Sequence, residues 1–427
     1  MITSNHWKKH LAAALTGGFL MLNTAAVFAA PVELSLHESI VMALQNNPAI
    51  KIADADKEKA EWGIREAKGG KMPTLSLNHS DSWSDANDRF NSNATLRLPL
   101  YTGGRAEAAI KQAQINFKVN NLGVDKSKQQ VQLDATTGYF TILQTINSLK
   151  VSQESVDQML AHLKNVQAQY SVGTVAKSDV LRSEVELANN QQNLIKAQNN
   201  YDLAVSRLNN IIGLPLDTEV KLKDELKHNR YELSLDDAIQ YAMIHRPEAI
   251  QADYAIDAAK QGVKAAESGK LPTVDASATT GWSDTKFPGM ENNSNSIGIS
   301  ASWNVFDSGV THARIKQADS AVAKAAIQAQ QTKDTVQLEV RQAYLNMNEA
   351  DKRISATYVA VEKAEEDFKI GGVRYGAGVG TNLDVIDTQV ALTQAKNNYI
   401  QAMYDYNTSK ANLDKAMGMA VLGENRK

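Results

Sequence analysis

The chain has 427 residues, with 45 lysines and arginines against 48 aspartates and glutamates, 43% hydrophobic and 6% aromatic residues, and no cysteine. Such a length ordinarily means two or three globular domains, yet a mean hydropathy of −0.36 with so few aromatics argues against large cores of the usual kind. Zero cysteine removes disulfides, thiolate metal sites, cysteine nucleophiles and a lipid-modified cysteine, and the near-balance of charge leaves no basic footprint for nucleic acid.

Lys8, Lys9 and His10 precede an apolar run over residues 11–22, and Val27-Phe28-Ala29 presents the small or branched residues that a signal peptidase reads. The pattern predicts an export signal over residues 1–29, because the apolar run is short for a membrane span and cleavage after Ala30 would put Pro31 at the new terminus. Removing it takes away Lys8 and Lys9 and leaves 43 basic against 48 acidic groups, a net charge of −5. No later segment holds 18 uninterrupted apolar residues, which excludes a helical span. A soluble exported protein or a β-barrel remains, since short barrel strands escape hydropathy.

The chain then repeats itself. Leu34-Ser35-Leu36 recurs as Leu233-Ser234-Leu235, Pro48 as Pro247, Gly70-Lys71 as Gly269-Lys270 and Trp83-Ser84-Asp85 as Trp282-Ser283-Asp284, all 199 residues on. Six extra residues around 287–293 change the offset to 205, at which Gly104 matches Gly309, Tyr139 matches Tyr344, Tyr170 matches Tyr375, Asp179-Val180 matches Asp384-Val385 and Gly213 matches Gly418. This predicts a first structural repeat over residues 30–213, a linker over 214–232, a second repeat over 233–418 and a tail over 419–427.

Within each repeat a helix comes first, then two segments in which the hydrophobic period is two. Leu75, Leu77 and Trp83 alternate with Ser76, Asn78 and Ser84, and Ala94, Leu96, Leu98 and Leu100 with Thr95, Arg97 and Pro99. In the second repeat Val274, Ala276, Ala278 and Trp282 face one way, as do Ile297, Ile299, Ala301, Trp303 and Val305. Strands of about ten residues cross a bilayer when tilted. Trp83, Tyr101, Trp282, Trp303 and Phe306 lie near their ends, where a membrane aromatic girdle belongs. Such alternation also fits an ordinary half-buried sheet, but four strands with one apolar face need a covering layer, and lipid supplies one. Four strands cannot close a membrane barrel, whose smallest members have eight, so the chain is expected to oligomerise.

All eight prolines avoid residues 100–214 and 289–427, which frees both stretches for long helices. Ala135, Ile142, Leu149, Val156, Leu163 and Tyr170 are spaced by seven, and Val340, Met347, Ile354, Val361, Phe368 and Tyr375 repeat the ladder. Val180, Leu187, Leu194, Tyr201 and Leu208 continue it beyond a break, echoed by Val385, Leu392, Tyr399, Tyr406 and Leu413. A strict seven-residue repeat means left-handed coiled-coil packing. Residues 104–170 as one helix span about 100 Å, so each repeat contains an antiparallel hairpin, turning at residues 171–174 and 376–380 where glycines allow a tight reversal.

This order of export signal, helix, two strands and long helical hairpin, written twice, resembles the TolC family of outer-membrane efflux proteins over residues 32–418. The marks are Leu34-Ser35-Leu36 with Asn47-Pro48, Pro99-Leu100-Tyr101-Thr102-Gly103-Gly104 with Val305-Phe306-Asp307-Ser308-Gly309, and Tyr375-Gly376-Ala377-Gly378 leading into Leu383-Asp384-Val385-Ile386-Asp387. The resemblance implies a mainly α fold with a β-barrel part: a homotrimeric 12-stranded outer-membrane barrel, four strands per chain, continued by a 12-helix α-barrel across the periplasm. It implies an exit duct for efflux or type I secretion, working with a periplasmic adaptor and an inner-membrane pump. It also implies that Asp384 and Asp387 form acidic rings at the channel constriction, where converging carboxylates favour cations, that Tyr375 and Asp179 belong to an entrance latch, and that the tips at Gly173, Thr174, Gly378 and Val379 receive the adaptor. Gly380 stands where the family has the latch arginine, which leaves Arg374 or Arg182 as possible substitutes. On residues alone, Asp384 and Asp387 equally fit a solvated helix N-terminus.

No enzymatic chemistry, metal or cofactor is expected. The six histidines beyond the expected export signal (37, 79, 162, 228, 245 and 312) lack metal-ligand spacing, no serine sits in a nucleophile elbow, and Gly70-Lys71-Met72-Pro73 ends a helix rather than cradling phosphate. The alternative from another class is a periplasmic structural or interaction coiled coil with a small soluble sheet.

Overall fold

The computed structural model describes residues 31–84, 88–286 and 292–422; the expected export signal and most of the six-residue insertion lie outside the described residues. The first unit runs through β1 (Val32–Leu34), α1 (Leu36–Asn46), α2 (Pro48–Gly69), β2 (Thr74–Ser82), β3 (Arg89–Tyr101), α3 (Arg105–Ser171) and α4 (Lys177–Ile212). After β4 (Val220–Leu222) the second unit follows as α5 (Leu235–His245), α6 (Pro247–Glu267), β5 (Thr273–Asp284), β6 (Asn292–Ser302), α7 (Val310–Gly376) and α8 (Asn382–Met417). The duplication holds at the level of elements: α3 and α7 have 67 residues each, α4 and α8 have 36 each.

Where one helix per unit is expected ahead of the strands, the structure has two. Proline suits the first position of a helix but cannot continue one, so Pro48 and Pro247 each end one helix and begin the next. The break is anchored on the far end of the hairpin. Asn46 and Asn47 donate their side-chain amides to the carbonyls of Ile212 and Ile211, both at 3.1 Å, satisfying the last turn of α4. In the second unit Arg246 does the same for α8, donating to the Ala416 carbonyl at 2.9 Å.

The four long strands form one antiparallel sheet in the order β2-β3-β5-β6. Their register puts Leu75, Leu96, Ala278 and Ile297 in one row across all four, with Ser76, Thr95, Thr279 and Ser296 in the next row, on the opposite face. The sheet therefore has one apolar and one polar face, as the alternation predicts. The alternation is broken at both ends: toward the hairpin loops the same face carries His79, Ser92, Thr280 and Asn295, and toward the helices a bulge between Pro99 and Tyr101 sets Tyr101, not Leu100, opposite Val274. Pro99 is tolerated in this inner strand because β2 begins opposite Arg97, leaving that side of β3 free of a ladder partner.

The hairpins are longer on one arm. At about 1.5 Å per residue, α3 and α7 reach about 100 Å, and the shorter α4 and α8 cover only their distal parts. The proximal parts are packed by α2 on α3 and by α6 on both α3 and α7. The expected ladder is buried or half-buried at every rung except Tyr170, which is 45% exposed although its counterpart Tyr375 is buried.

The expected linker is a strap with its own structure. β4 pairs in parallel with β1, and just beyond it the Asp224 carboxylate accepts from the buried Tyr139 hydroxyl and from the Leu36 N–H, both at 2.8 Å. Further along, the Asn229 carbonyl accepts from Tyr406 at 2.7 Å, and Tyr231 donates to Asp414 at 2.8 Å. The strap thus ties the two units together around the middle of the long helices.

Candidate functional site

The two hairpins of the chain touch along α3 and α8, and this contact differs in kind from the packing inside each hairpin. Apolar ladder residues fill the seam of each hairpin, whereas α3 and α8 meet through polar rungs. Thr141 faces the Tyr404 hydroxyl at 3.3 Å, Gln144 donates to Gln401 at 2.8 Å, and Ser155 faces Thr393 at 3.3 Å beside Gln389. Lys396 bridges Glu154 of the first hairpin and Glu365 of the second at 3.0 and 3.3 Å. Neutral hydrogen bonds and part-exposed ion pairs of this kind hold geometry while each contributes only about 1 kcal/mol or less to adhesion.

At the free ends, Leu163, Val166, Val180, Tyr375 and Val385 form a small apolar cluster drawn from all four long helices. Beside it lies a buried hydrogen-bond knot. Asn382 donates from Nδ2 to the Asp179 carbonyl at 3.1 Å, and its Oδ1 accepts from Ser183 at 3.1 Å and from His162 Nε2 at 2.6 Å. Burial holds the His162 imidazole below its ordinary value, against the opposing effect of the Asn382 oxygen. His162, Ser183 and Asn382 were not among the sequence candidates. Ser183 and Asn382 stand three residues from the seam positions Val180 and Val385, and a polar residue inside an apolar helix face is the signal that marks them.

The expected latch pair is only partly assembled within one chain. The Tyr375 hydroxyl is buried and has no hydrogen-bond partner among the described residues; burial first and the nearby Asp179 carboxylate second push its pKa up. A Cβ on Gly380 would lie 3.1 Å from both the Arg374 Cβ and the Tyr375 nitrogen, so the turn packs too closely against the last turn of α7 to take an arginine there without displacement. Arg374 lies close enough to Asp384 to help keep that carboxylate ionised.

Asp384 itself closes a capping box. Its carboxylate accepts from the Thr381 N–H at 2.9 Å while the Thr381 hydroxyl accepts from the Asp384 N–H at 3.1 Å. These bonds, the backbone one first, hold its carboxyl below the usual range. Asp384 and Asp387 are both exposed, one turn apart on α8, while Val385 and Ile386 face the core. At the tips Gly173 and Gly378 adopt φ of +80° and +75° with open space around a would-be Cβ. Thr174 is tied to the Gln169 carbonyl through both its N–H and its hydroxyl, and Val379 to the Arg374 carbonyl.

At the opposite end, the aromatic residues separate into two belts. Trp83 and Trp282 belong to the hairpin-loop end of the sheet, and Tyr101, Trp303 and Phe306 to the helix end. The strand registers set Trp282 and Tyr101 on the apolar face; Trp303 lies just beyond β6 and Trp83 just beyond β2, the latter packing edge-on against Phe90 at 6.2 Å. Trp303 donates its indole N–H to the Lys270 carbonyl at 3.0 Å. No helix among the described residues is long and apolar enough to cross a membrane.

Residues 39–214 and 238–419 match the family described as "Outer membrane efflux protein". Outer membrane protein TolC of Escherichia coli (strain K12) is 26% identical over 411 residues, which cover 90% of this chain and 83% of that relative. Alkaline protease secretion protein AprF of Pseudomonas aeruginosa is 25% identical over 441 residues, 95% and 88% of the two chains. Among solved structures, the outer membrane protein VceC from Vibrio cholerae shares the fold with a TM-score of 0.78 at 19% identity, over 90% of this chain and 96% of that one. The two matched stretches are the two structural repeats, with the strap falling between them, and the chain belongs to the outer membrane efflux protein family.

Proposed function

We propose that three copies of this chain form one outer-membrane exit duct, a 12-stranded barrel continued by a 12-helix tunnel into the periplasm. The observation that carries this is the sheet. Its apolar face is open at Leu75 (68% accessible), Leu96 (45%) and Ile297 (90%) and half-buried along β5, and no layer of the described residues covers it, which disfavours a soluble coiled-coil protein. Its edges β2 and β6 run antiparallel to each other, since three antiparallel pairings separate them. The β6 edge of one copy therefore fits the β2 edge of the next in an all-antiparallel ring. The polar face, with Thr95, Thr279 and Ser296, lines the lumen.

The duct is passive and no catalytic step is assigned to it. On the sheet His79 lies within 2.8 Å of Ser92 and 2.9 Å of Asp81. That group has no oxyanion hole, because β3 is paired on both sides around Ser92 and its amides belong to the ladder. Substrate choice lies with the inner-membrane pump, and the adaptor docks at the tips carrying Gly173, Thr174, Gly378 and Val379. Asp384 and Asp387 from three chains form the acidic constriction, and Tyr375 with Asp179 belongs to a latch that links neighbouring hairpins and holds the entrance shut.

The test is reconstitution in a planar bilayer with a salt gradient. The wild-type channel is expected to select cations, and Asp384→Asn with Asp387→Asn to lose most of that selectivity while still conducting. Unchanged selectivity in the double variant removes the acidic rings, and a protein that never conducts removes the duct.

A further inference from the structure

His162 is 9% exposed, Ser183 0% and Asn382 4%, so the knot they form is closed to water at the end where the entrance is assigned. Its hydrogen bonds fix which ring nitrogen carries a proton in the neutral imidazole. Because Asn382 Nδ2 donates to the Asp179 carbonyl, its Oδ1 must be the atom facing His162, and His162 Nε2 must be the donor. A neutral imidazole donating from Nε2 has a bare Nδ1, and a proton added there puts a charge on a buried ring packed against Tyr375 of the apolar cluster.

The groups facing it offer no compensation. From α4, Ser183 donates into the knot and Asp179 contributes its backbone carbonyl. From α7, the Tyr375 ring stands 5.0 Å away. From α8, the Asn382 oxygen already accepts two hydrogen bonds, and the Asp384 carboxylate beyond it is engaged by Thr381. No carboxylate acts on the ionisation of His162. The knot spans the α3–α8 contact, which is otherwise the polar, separable interface of the chain.

We propose that this knot is an acid-released latch: the entrance stays shut while His162 is neutral and loosens when His162 takes up a proton. The proposal rests on the channel reading. With the hairpins separated, the imidazole meets water and titrates near its ordinary value of about 6.5; in the knot it titrates lower. The closed state therefore binds fewer protons, so closure is at full strength above about pH 6.5 and weakens as pH falls below it.

Single-channel conductance in planar bilayers between pH 7.5 and 5 tests this, on variants first confirmed as assembled by native gel. Wild type is expected to conduct several-fold more at pH 5 than at pH 7.5. His162→Gln, which keeps a donor for Asn382 but cannot titrate, is expected to stay at the low value throughout, and Asn382→Ala to conduct at the high value at every pH. An equal acid response in His162→Gln overturns the latch and assigns the response to carboxylates such as Asp384 and Asp387. A flat wild type beside a conducting Asn382→Ala also overturns it. No conductance from any of the three proteins counts against the channel reading itself.

Discussion

Leu96→Arg is expected to abolish insertion into the outer membrane, while Thr95→Arg, one residue away, is expected to insert. Leu96 sits between Leu75 and Ala278 in the middle of the apolar face, where an arginine facing lipid costs about 2–4 kcal/mol at the bilayer midplane. Three symmetric copies multiply that cost, which then rivals the whole stability of a typical folded domain. Thr95 points to the other face, where its hydroxyl meets that of Thr279 at 3.2 Å, and an added arginine there stands in water. Membrane fractionation with trimer detection on gels distinguishes the two. Equal loss in both variants means that the faces are not lipid and lumen.

Arg246→Ala is expected to destabilise the second unit by about 3–5 kcal/mol, the usual cost of removing one partner of a buried ion pair. Arg246 is 2% exposed and donates to Glu248 at 2.9 Å, to the Ala416 carbonyl at 2.9 Å and to Glu339 at 2.5 Å. Alanine leaves the half-buried Glu248 with Lys126, 3.5 Å away, and strips the last turn of α8 of a side-chain donor. Glu339 is half exposed and contributes less. Asn47→Ala, the matching change in the first unit, removes neutral hydrogen bonds and is expected to cost about 1 kcal/mol. Denaturant midpoints of the detergent-solubilised protein give both values, and a larger effect at Asn47 contradicts the assignment.

The parts of this fold legible in the sequence are those set by period. Seven-residue spacing places α3, α4, α7 and α8, two-residue spacing places the four strands, and the offset of 205 reproduces the helix ends from Arg105–Ser171 to Val310–Gly376. What periodicity cannot carry is missing from such a reading. β1 and β4 are three residues each, too short for any pattern, and they exist because the strap brings them together. The bulge at Pro99 depends on where β2 begins, a tertiary fact. At the entrance, Asp384 shows the limit of charge alone: its carboxylate caps α8 first, and a place in a ring requires three chains. Gly380 is explained by a close backbone approach, and His162 by a partner 220 residues away in sequence, neither of which spacing displays.

The central claim is that three copies close one barrel, and the mass of the particle extracted from outer membranes in mild detergent, read by native mass spectrometry, tests it most directly. The expected result is a single species of three mature chains that appears only with detergent. A monomer, or release of the protein by salt or buffer alone, contradicts it.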